Sequence, residues 1–291
     1  MLRNITAILC FIALSEAFSE PIKGGGKQSF PQTKPFEKSQ YWLGAKGGVN
    51  FTQPAPDERF TVFEPLDGNY DGYKKEYQSF NKIGTQFQFV FQFSYRRFSI
   101  YAAPGYKSTL FTYKTKYKWQ DVDKPANSVE LNYDQTQTVE YAYLPLSIKF
   151  EFLSSRLRPY IHGGGFIGYK FNAQKSLKIS GTDNASGGST SFENQPIIIG
   201  ATALFNPLWY GLMGGVGVNY DLQTVRIFVE GNYLYGFNNI TNADTRYTEN
   251  ALSGSGDALD NLKLSNIEIS AGVLFPLKFL LTGGYKSVRP K

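Results

Sequence analysis

The chain has 291 residues, a formal net charge of +6 and an aromatic content of 16 %, which is enough length for one large domain with a substantial core. Its mean hydropathy of −0.30 excludes a bundle of membrane helices, and its aromatic richness excludes a disordered chain. The single cysteine and single histidine exclude a His/Cys zinc cluster and a disulfide framework. The 20 tyrosines, 24 phenylalanines and 29 glycines are typical of short, twisted strands.

The first nineteen residues have the pattern of a secretory signal peptide. Arg3 precedes an apolar run over 5–14, and Ala17 and Ser19 form a small-x-small cleavage site before Glu20. The apolar run is too short to span a bilayer by itself. We therefore predict a signal peptide over 1–19 and a flexible lead-in over 20–39, where Gly, Pro, Lys and Gln predominate.

Eight segments of the remaining chain alternate apolar and polar residues with a period of two, which indicates strands with one apolar and one polar face. The clearest alternation places Phe87, Phe89 and Phe91 between glutamines, and Pro104 interrupts the third segment. The predicted strands are 41–52, 85–95, 98–113, 139–152, 159–171, 208–220, 225–236 and 264–275.

The connections between these segments alternate in length. Long connections at 53–84, 114–138, 172–207 and 237–263 alternate with short ones at 96–97, 153–158 and 221–224. A soluble sandwich has no reason to sort its loops in this way, whereas a transmembrane barrel has short periplasmic turns and long extracellular loops. Because lipid offers no hydrogen-bond partners to the backbone, such a sheet must close on itself.

The predicted fold class is therefore all-β, a closed antiparallel transmembrane β-barrel of eight strands over residues 40–277 in the cell outer membrane. Residues 278–291 form a basic C-terminal tail. Aromatic residues near the strand ends would supply the interfacial girdles, namely Tyr41, Tyr95, Phe152, Tyr220 and Tyr235. The alternative is a soluble, lipocalin-like barrel with an apolar interior, because alternation alone does not distinguish the inner face from the outer one.

Five segments resemble, in the same order, the PorT-like outer-membrane β-barrel proteins of Bacteroidetes. They are WLGAKGGVNFTQ (42–53), EYAYLPLSIKFEF (140–152), RPYIHGGGFIGY (158–169), GLMGGVGVNYDL (211–222) and FVEGNYLYGFNNI (228–240). The resemblance covers residues 40–277 and implies an eight-stranded outer-membrane barrel with no established enzymatic activity. The namesake of that family is associated with type IX secretion and gliding.

The polar faces of the predicted strands carry seven charged residues, which are Lys46, Lys149, Glu151, Lys170, Arg226, Glu230 and Glu268. An eight-stranded barrel is just wide enough for its own side chains, and an unpaired charge buried there costs several kcal/mol. We therefore predict that these residues form a structural charge network in the lumen. A conduction path is the alternative, although a pore requires a wider barrel.

His162 is the only histidine and lies on the predicted lumen face. A metal site needs several ligands, and catalysis needs a partner base or nucleophile, so we predict a structural histidine. We assign no catalytic, metal or cofactor-binding residue, and we do not expect an enzyme or a cofactor. The basic residues form no stripe typical of nucleic-acid binding, and no small-molecule substrate is identified.

The predicted function is a structural or accessory role at the cell envelope, and the resemblance implies a link to protein secretion or gliding machinery. The expected partners are outer-membrane lipid and proteins of the envelope. A narrow outer-membrane channel and a membrane-embedded hydrolase are the two alternatives.

Overall fold

The computed structural model describes residues 39–60, 75–186, 188–222, 225–247 and 258–277. The predicted signal peptide, nearly all of the lead-in and the predicted tail 278–291 lie outside the described residues. No helix in the described ranges is long and apolar enough to cross a membrane. The strands are β1 (Gln40–Glu58), β2 (Glu76–Gln78), β3 (Ile83–Tyr95), β4 (Phe98–Ala102), β5 (Gly105–Gln120), β6 (Ser128–Glu151), β7 (Leu157–Asp183), β8 (Thr190–Glu193), β9 (Ile197–Gly200), β10 (Leu208–Leu222), β11 (Val225–Gly236) and β12 (Asn261–Pro276).

The predicted ring of eight antiparallel strands is confirmed. Its order is β1, β3, β4 with β5, β6, β7, β10, β11 and β12, and the pairing of β1 with β12 from Trp42↔Pro276 to Glu58↔Asn261 closes it. Strands β4 and β5 share one position, since both pair with β3 on one side and β6 on the other. The ladder is interrupted between them at Ala103 and Pro104, because proline has no N–H to donate.

The barrel wall has a polar inner face and an apolar outer face, which is the reverse of the arrangement in a soluble protein. On β3 the side chains of Gln86, Gln88 and Gln92 point inward and are at most 5 % exposed, whereas Phe87 and Phe89 are 48 % and 57 % exposed. A lipocalin-like barrel would bury the phenylalanines and expose the glutamines. The apolar outer face therefore matches lipid and excludes the soluble alternative.

Exposed aromatic residues lie at the ends of this apolar band. Of the five predicted girdle residues, Tyr41, Tyr95, Phe152 and Tyr220 are exposed at or near the periplasmic ends of their strands, and Tyr235 is exposed near the extracellular end of β11. Aromatic rings of this kind lie at the level of the lipid headgroups. The band therefore marks the two surfaces of the membrane on the wall of the barrel.

At the extracellular end the strands extend well beyond their predicted bounds. Strand β5 continues to Gln120 instead of 113, β6 begins at Ser128 instead of 139, and β7 continues to Asp183 instead of 171. Much of the connections at 114–138 and 172–207 is therefore paired strand. We call residues 112–120, 128–139 and 172–183, together with β2, β8 and β9 on their edges, the outer sheet.

An arginine at the centre of the lipid-facing band is expected to destabilise the barrel far more than one at its edge. Phe89 lies midway along β3 and Tyr95 at its periplasmic end, and both are exposed. A cationic side chain at the bilayer midplane costs about 2–4 kcal/mol, against about 0–1 kcal/mol near the interface. We expect Phe89→Arg to lower the urea midpoint of vesicle-embedded protein, and Tyr95→Arg to have little effect. Equal losses would contradict this assignment of the lipid face.

Candidate functional site

The centre of the lumen is organised around Glu230 on β11. Its carboxylate accepts hydrogen bonds from Lys46 Nζ at 2.6 Å, Lys149 Nζ at 3.3 Å and Tyr160 Oη at 2.8 Å. These three donors stand on β1, β6 and β7, and both ion pairs are almost completely buried. The amino group of Lys149 also lies 4.1 Å from the centroid of the Tyr101 ring. Glu230 therefore ties four strands of the wall together across the lumen.

A second ionic cluster lies toward the periplasmic end. Arg226 Nη1 binds Glu151 Oε1 at 2.9 Å, and Arg226 Nε binds Asp221 Oδ1 at 2.6 Å. Arg158 contacts the same two carboxylates, with Nη2 2.7 Å from Asp221 Oδ2 and Nη1 3.4 Å from Glu151 Oε2. Asn219 Nδ2 donates to Glu151 Oε1 at 2.9 Å. Two arginines and two carboxylates thus neutralise one another.

Glu268 is the last residue of the predicted network in sequence order. It pairs with Lys107, which the sequence prediction does not include. Lys107 on β5 forms an ion pair with Glu268, and both side chains are buried. The Lys107 amino group lies 5.0 Å from the ring centroid of Tyr143 and 5.5 Å from that of Trp209. Continuing the alternation of β4 through Pro104 places Lys107 on the inner face, so this residue could have been found by extending the period across the break.

Lys170 stands apart from the other predicted residues. Its amino group donates to the carbonyl oxygens of Thr202 and Phe205, which belong to the short 3-10 helix Thr202–Leu204 and the residue that caps it. This lysine therefore holds the connection between β9 and β10 at the mouth of the barrel. Of the seven residues, Lys46, Lys149 and Glu230 form one cluster, Glu151 and Arg226 a second, and Glu268 and Lys170 each have other partners.

His162 bridges the walls of the lumen through two polar contacts. Its Nε2 lies 2.7 Å from Asn232 Oδ1, and its Nδ1 lies 3.3 Å from Ser147 Oγ. A Cβ at Gly215 would lie 2.2 Å from that Asn232 oxygen and 2.7 Å from His162 Nε2, so only glycine leaves room for the contact.

A serine, a histidine and a third polar side chain in this order are similar to a hydrolase triad, in which the residue that follows a Ser-His pair is an aspartate or a glutamate. Here Ser147 and His162 are 4 % and 6 % exposed inside a filled barrel, so a substrate carbonyl has no approach to Ser147 through the described structure. Within the described ranges, no group of three His, Cys, Asp or Glu side chains is placed to hold a metal ion. The arrangement joins β6, β7 and β11 across the lumen.

An aromatic plug lies against the extracellular side of the Lys107–Glu268 pair. The Trp209 ring contacts Phe166 at a centroid distance of 4.6 Å and Tyr141 at 5.2 Å, and it stacks on Tyr143 at 6.3 Å. Further outward the same buried cluster includes Phe111, Phe205, Leu204, Ile240, Leu259 and Leu262. The described side chains therefore fill the outer half of the lumen.

A buried ionic clamp at the extracellular mouth was also missed by sequence analysis. Asp260, just before β12, accepts hydrogen bonds from Lys75 Nζ, Tyr77 Oη and the backbone N–H of Phe60, at 2.8, 2.8 and 2.9 Å. Lys75 also donates to the carbonyl oxygen of Phe60 at 2.7 Å. The clamp joins the end of β1, the start of β2 and the start of β12. Lys75 and Asp260 are far apart in sequence, so no local pattern signals this pair.

Removal of one lumen carboxylate is expected to destabilise the barrel strongly. Glu268→Gln leaves the Lys107 ammonium buried without its counter-charge, at a cost of about 3–5 kcal/mol. We expect a marked fall in the urea midpoint of the vesicle-embedded protein. Adding Lys107→Met to this variant removes the orphaned charge and should recover much of the loss.

The matched control is Glu130→Gln in the outer sheet. Glu130 pairs with Lys118 at 2.9 Å, and both side chains are more than half exposed. Exposed ion pairs contribute about 0–1 kcal/mol, so this change should leave the midpoint nearly unaltered. If Glu268→Gln were as harmless as Glu130→Gln, the lumen charges would be hydrated and the bracing role would be wrong.

A comparison with solved structures finds low-identity similarity to outer-membrane proteins. OprG of Pseudomonas aeruginosa aligns over 82 % of this chain and 96 % of its own at 15 % identity and a TM-score of 0.36. Neisserial surface protein A aligns over 82 % and 99 % at 14 % identity and a TM-score of 0.30. The N-terminal barrel domain of OprF from Pseudomonas aeruginosa aligns over 82 % and 98 % at 11 % identity and a TM-score of 0.29.

A search of curated proteins finds no match. Residues 28–242, well over half of the chain, match the family model described as "Outer membrane protein beta-barrel domain". The inverted faces of the wall, the closed ring and the paired charges of the lumen are what such a domain requires in lipid. The chain belongs to the outer membrane protein β-barrel domain family.

Proposed function

We propose that this barrel does not conduct, and that it serves as a rigid membrane mount for the outer sheet, which engages a protein partner at the cell surface. The observation that carries the proposal is the length of the outer sheet. From Glu140, at the edge of the lipid-facing band, β6 runs back 12 residues to Ser128, about 40 Å of strand at 3.3 Å per residue. Because the strands of such barrels tilt by about 35–45°, this length rises about 30 Å above a lipid-facing band that is itself only about 25 Å tall.

The outer sheet is continuous with the barrel wall. Strand β5 pairs with β6 without a register shift from Gly105↔Tyr143 to Gln120↔Ser128. The turn at its tip is fixed by Asp121, whose carboxylate accepts hydrogen bonds from the backbone N–H groups of Asp123 and Lys124. These bonds lower the pKa of Asp121 because they favour its charged form. Such a sheet holds its shape far above the membrane.

One face of the outer sheet is kept soluble by cross-strand ion pairs. Lys114 pairs with Asp134 at 2.9 Å, Lys118 pairs with Glu130 at 2.9 Å, and Lys178 pairs with Glu193. The neighbouring carboxylate raises the pKa of the Lys178 amino group. Exposed pairs of this kind add little stability, but charges along a sheet discourage nonspecific edge association.

The opposite face of the outer sheet is aromatic and apolar. It carries Tyr117, Trp119, Leu131, Tyr133 and Phe192, and Trp119 and Phe192 are 42 % and 38 % exposed. Trp and Tyr side chains are enriched among the residues that dominate protein–protein binding energies. This face therefore supports the engagement of a protein partner over a purely structural role.

Secretion or gliding machinery is the class of partner that the resemblance to PorT-like proteins supplies. This assignment rests on the five sequence motifs, and the geometry adds only that the partner would meet the outer sheet. Cross-linking from an introduced residue at position 119 in intact cells would identify the partner directly.

A closed lumen is expected in electrical recordings. Because the aromatic plug and the ion pairs fill the barrel, purified protein in planar bilayers should show no stable conductance steps. The double variant Trp209→Ala, Tyr143→Ala removes the centre of the plug and is the control that can reveal a latent path. Stable steps from the unaltered protein would favour the narrow channel instead.

Shortening the outer sheet is expected to abolish the function while the barrel still folds. Thr115 and Tyr133 are register partners, so residues 116–132 can be replaced by an Asn-Gly hairpin turn that suits paired strands. We expect the shortened protein to reach the outer membrane and, like a folded barrel, to migrate differently on gels before and after boiling.

The same variant should fail to restore, in cells from which the protein has been deleted, the association with the partner that cross-linking from position 119 identifies and any growth or envelope change that the deletion causes. The control replaces only 121–126 at the tip, which leaves Trp119 in place. Full complementation by the version without 116–132 would contradict the proposed role of the outer sheet.

A further inference from the structure

The periplasmic end of the barrel carries three exposed arginines that have no carboxylate partner among the described residues. Arg96 and Arg97 form the turn between β3 and β4, and Arg156 lies in the turn between β6 and β7. We call these three residues the arginine rim. Arg96 lies beside the ring of Tyr95, with 5.5 Å between the guanidinium carbon and the ring centroid.

The acidic side chains of the described periplasmic strand ends are already engaged. Glu151 and Asp221 are bound by Arg226 at 2.9 and 2.6 Å and are both contacted by Arg158 as well. Those four residues lie on the lumen side and balance one another. The positive charge of the arginine rim is therefore left without internal compensation.

The turns that bear the arginine rim are joined side by side. The backbone N–H of Glu151 donates to the carbonyl oxygen of Arg97 at 2.9 Å, which links the first turn to β6. The N–H of Asp221 donates to the carbonyl oxygen of Arg156 at 2.9 Å. The two turns thus occupy one arc of the barrel end.

This arc lies at the level of lipid headgroups. Tyr95 and Phe98 flank the first turn, Phe152 and Leu157 flank the second, and all four side chains are exposed on the outer wall. Aromatic side chains at barrel ends mark the membrane–water interface. A long basic side chain at this level is long enough to reach the layer of lipid phosphates.

Arg96 has a backbone conformation that is unfavourable for an arginine. Its φ is 55°, in the left-handed region that glycine and asparagine occupy most readily. The first central position of such a turn accordingly prefers glycine or asparagine. An arginine at this position works against the local backbone preference, which is consistent with a use for its charge.

We propose that the arginine rim binds the phosphate groups of anionic phospholipids in the inner leaflet of the outer membrane. A guanidinium matches a phosphate with paired, charge-assisted hydrogen bonds. Lipid fits better than a periplasmic protein or the cell wall, because the flanking aromatic side chains face the acyl chains. The inference is independent of the role proposed for the outer sheet.

The test measures lipid preference at the arginine rim of the full protein. Phe152→Trp provides a fluorescent reporter beside the arc, and brominated phosphatidylglycerol or brominated phosphatidylcholine in vesicles quenches it. Each Lys or Arg near an anionic surface contributes about a five-fold gain in affinity. We expect phosphatidylglycerol to be preferred at least five-fold at low ionic strength, and the preference to fall in high salt.

The triple variant Arg96→Gln, Arg97→Gln, Arg156→Gln should reduce this preference to about one. The matched control, Lys114→Gln, Lys116→Gln, Lys118→Gln, removes the same charge from the outer sheet and should leave the preference unchanged. The proposal fails if the parent shows no preference, if the triple variant keeps it, or if the control loses it equally. Cosedimentation with isolated cell wall through these arginines, without a lipid preference, would assign the arc to the wall instead.

Arg96→Asn distinguishes a binding role from a structural one. Asparagine suits the left-handed backbone, so this variant should keep its urea midpoint while its preference for phosphatidylglycerol falls. A lowered midpoint with an unchanged lipid preference would show that Arg96 serves the fold, which would overturn its place in the arginine rim.

Discussion

The absence of water from the membrane interior is the constraint on which the rest of this structure depends. Every backbone N–H and C=O in the lipid layer must find a partner in the sheet, so the eight strands close through β1 and β12. Closure at eight strands leaves an interior only wide enough for side chains. Polar residues that face inward must then satisfy one another, and ion pairs such as Lys46–Glu230 and Lys107–Glu268 follow directly from that geometry.

The lumen network and the aromatic plug are consequently parts of one packing solution. Tyr143 and Trp209 lie beside the Lys107 ammonium on one side and belong to the apolar cluster on the other. Their rings interact with the cation and also pack against hydrocarbon. The change from charged to apolar filling along the barrel axis therefore occurs without a layer of unpaired charge.

The sequence predicts the wall of this barrel well because lipid imposes a simple rule on it. Phe87, Phe89 and Phe91 must face out and the glutamines between them in, so a period of two is visible by eye. Lys107 is not predicted as a lumen residue because Pro104 interrupts the strand pattern just before it. The outer sheet is not predicted for another reason. Its residues, such as Lys116 and Thr136, are surrounded by water and need not be apolar, so their sequence is similar to that of a loop. The Lys75–Asp260 clamp depends on tertiary contact between distant segments, which no local pattern reports.

The charges at the two ends of the barrel are balanced in different ways. At the extracellular end, Lys114 and Lys118 each have a carboxylate across the strand, so the outer sheet is locally neutral and its specificity must come from shape and from aromatic side chains. At the periplasmic end, Glu151 and Asp221 are used by Arg158 and Arg226 inside the rim. The turns that carry Arg96, Arg97 and Arg156 therefore keep a positive charge that no described carboxylate balances, because the nearby carboxylates are already bound by Arg158 and Arg226.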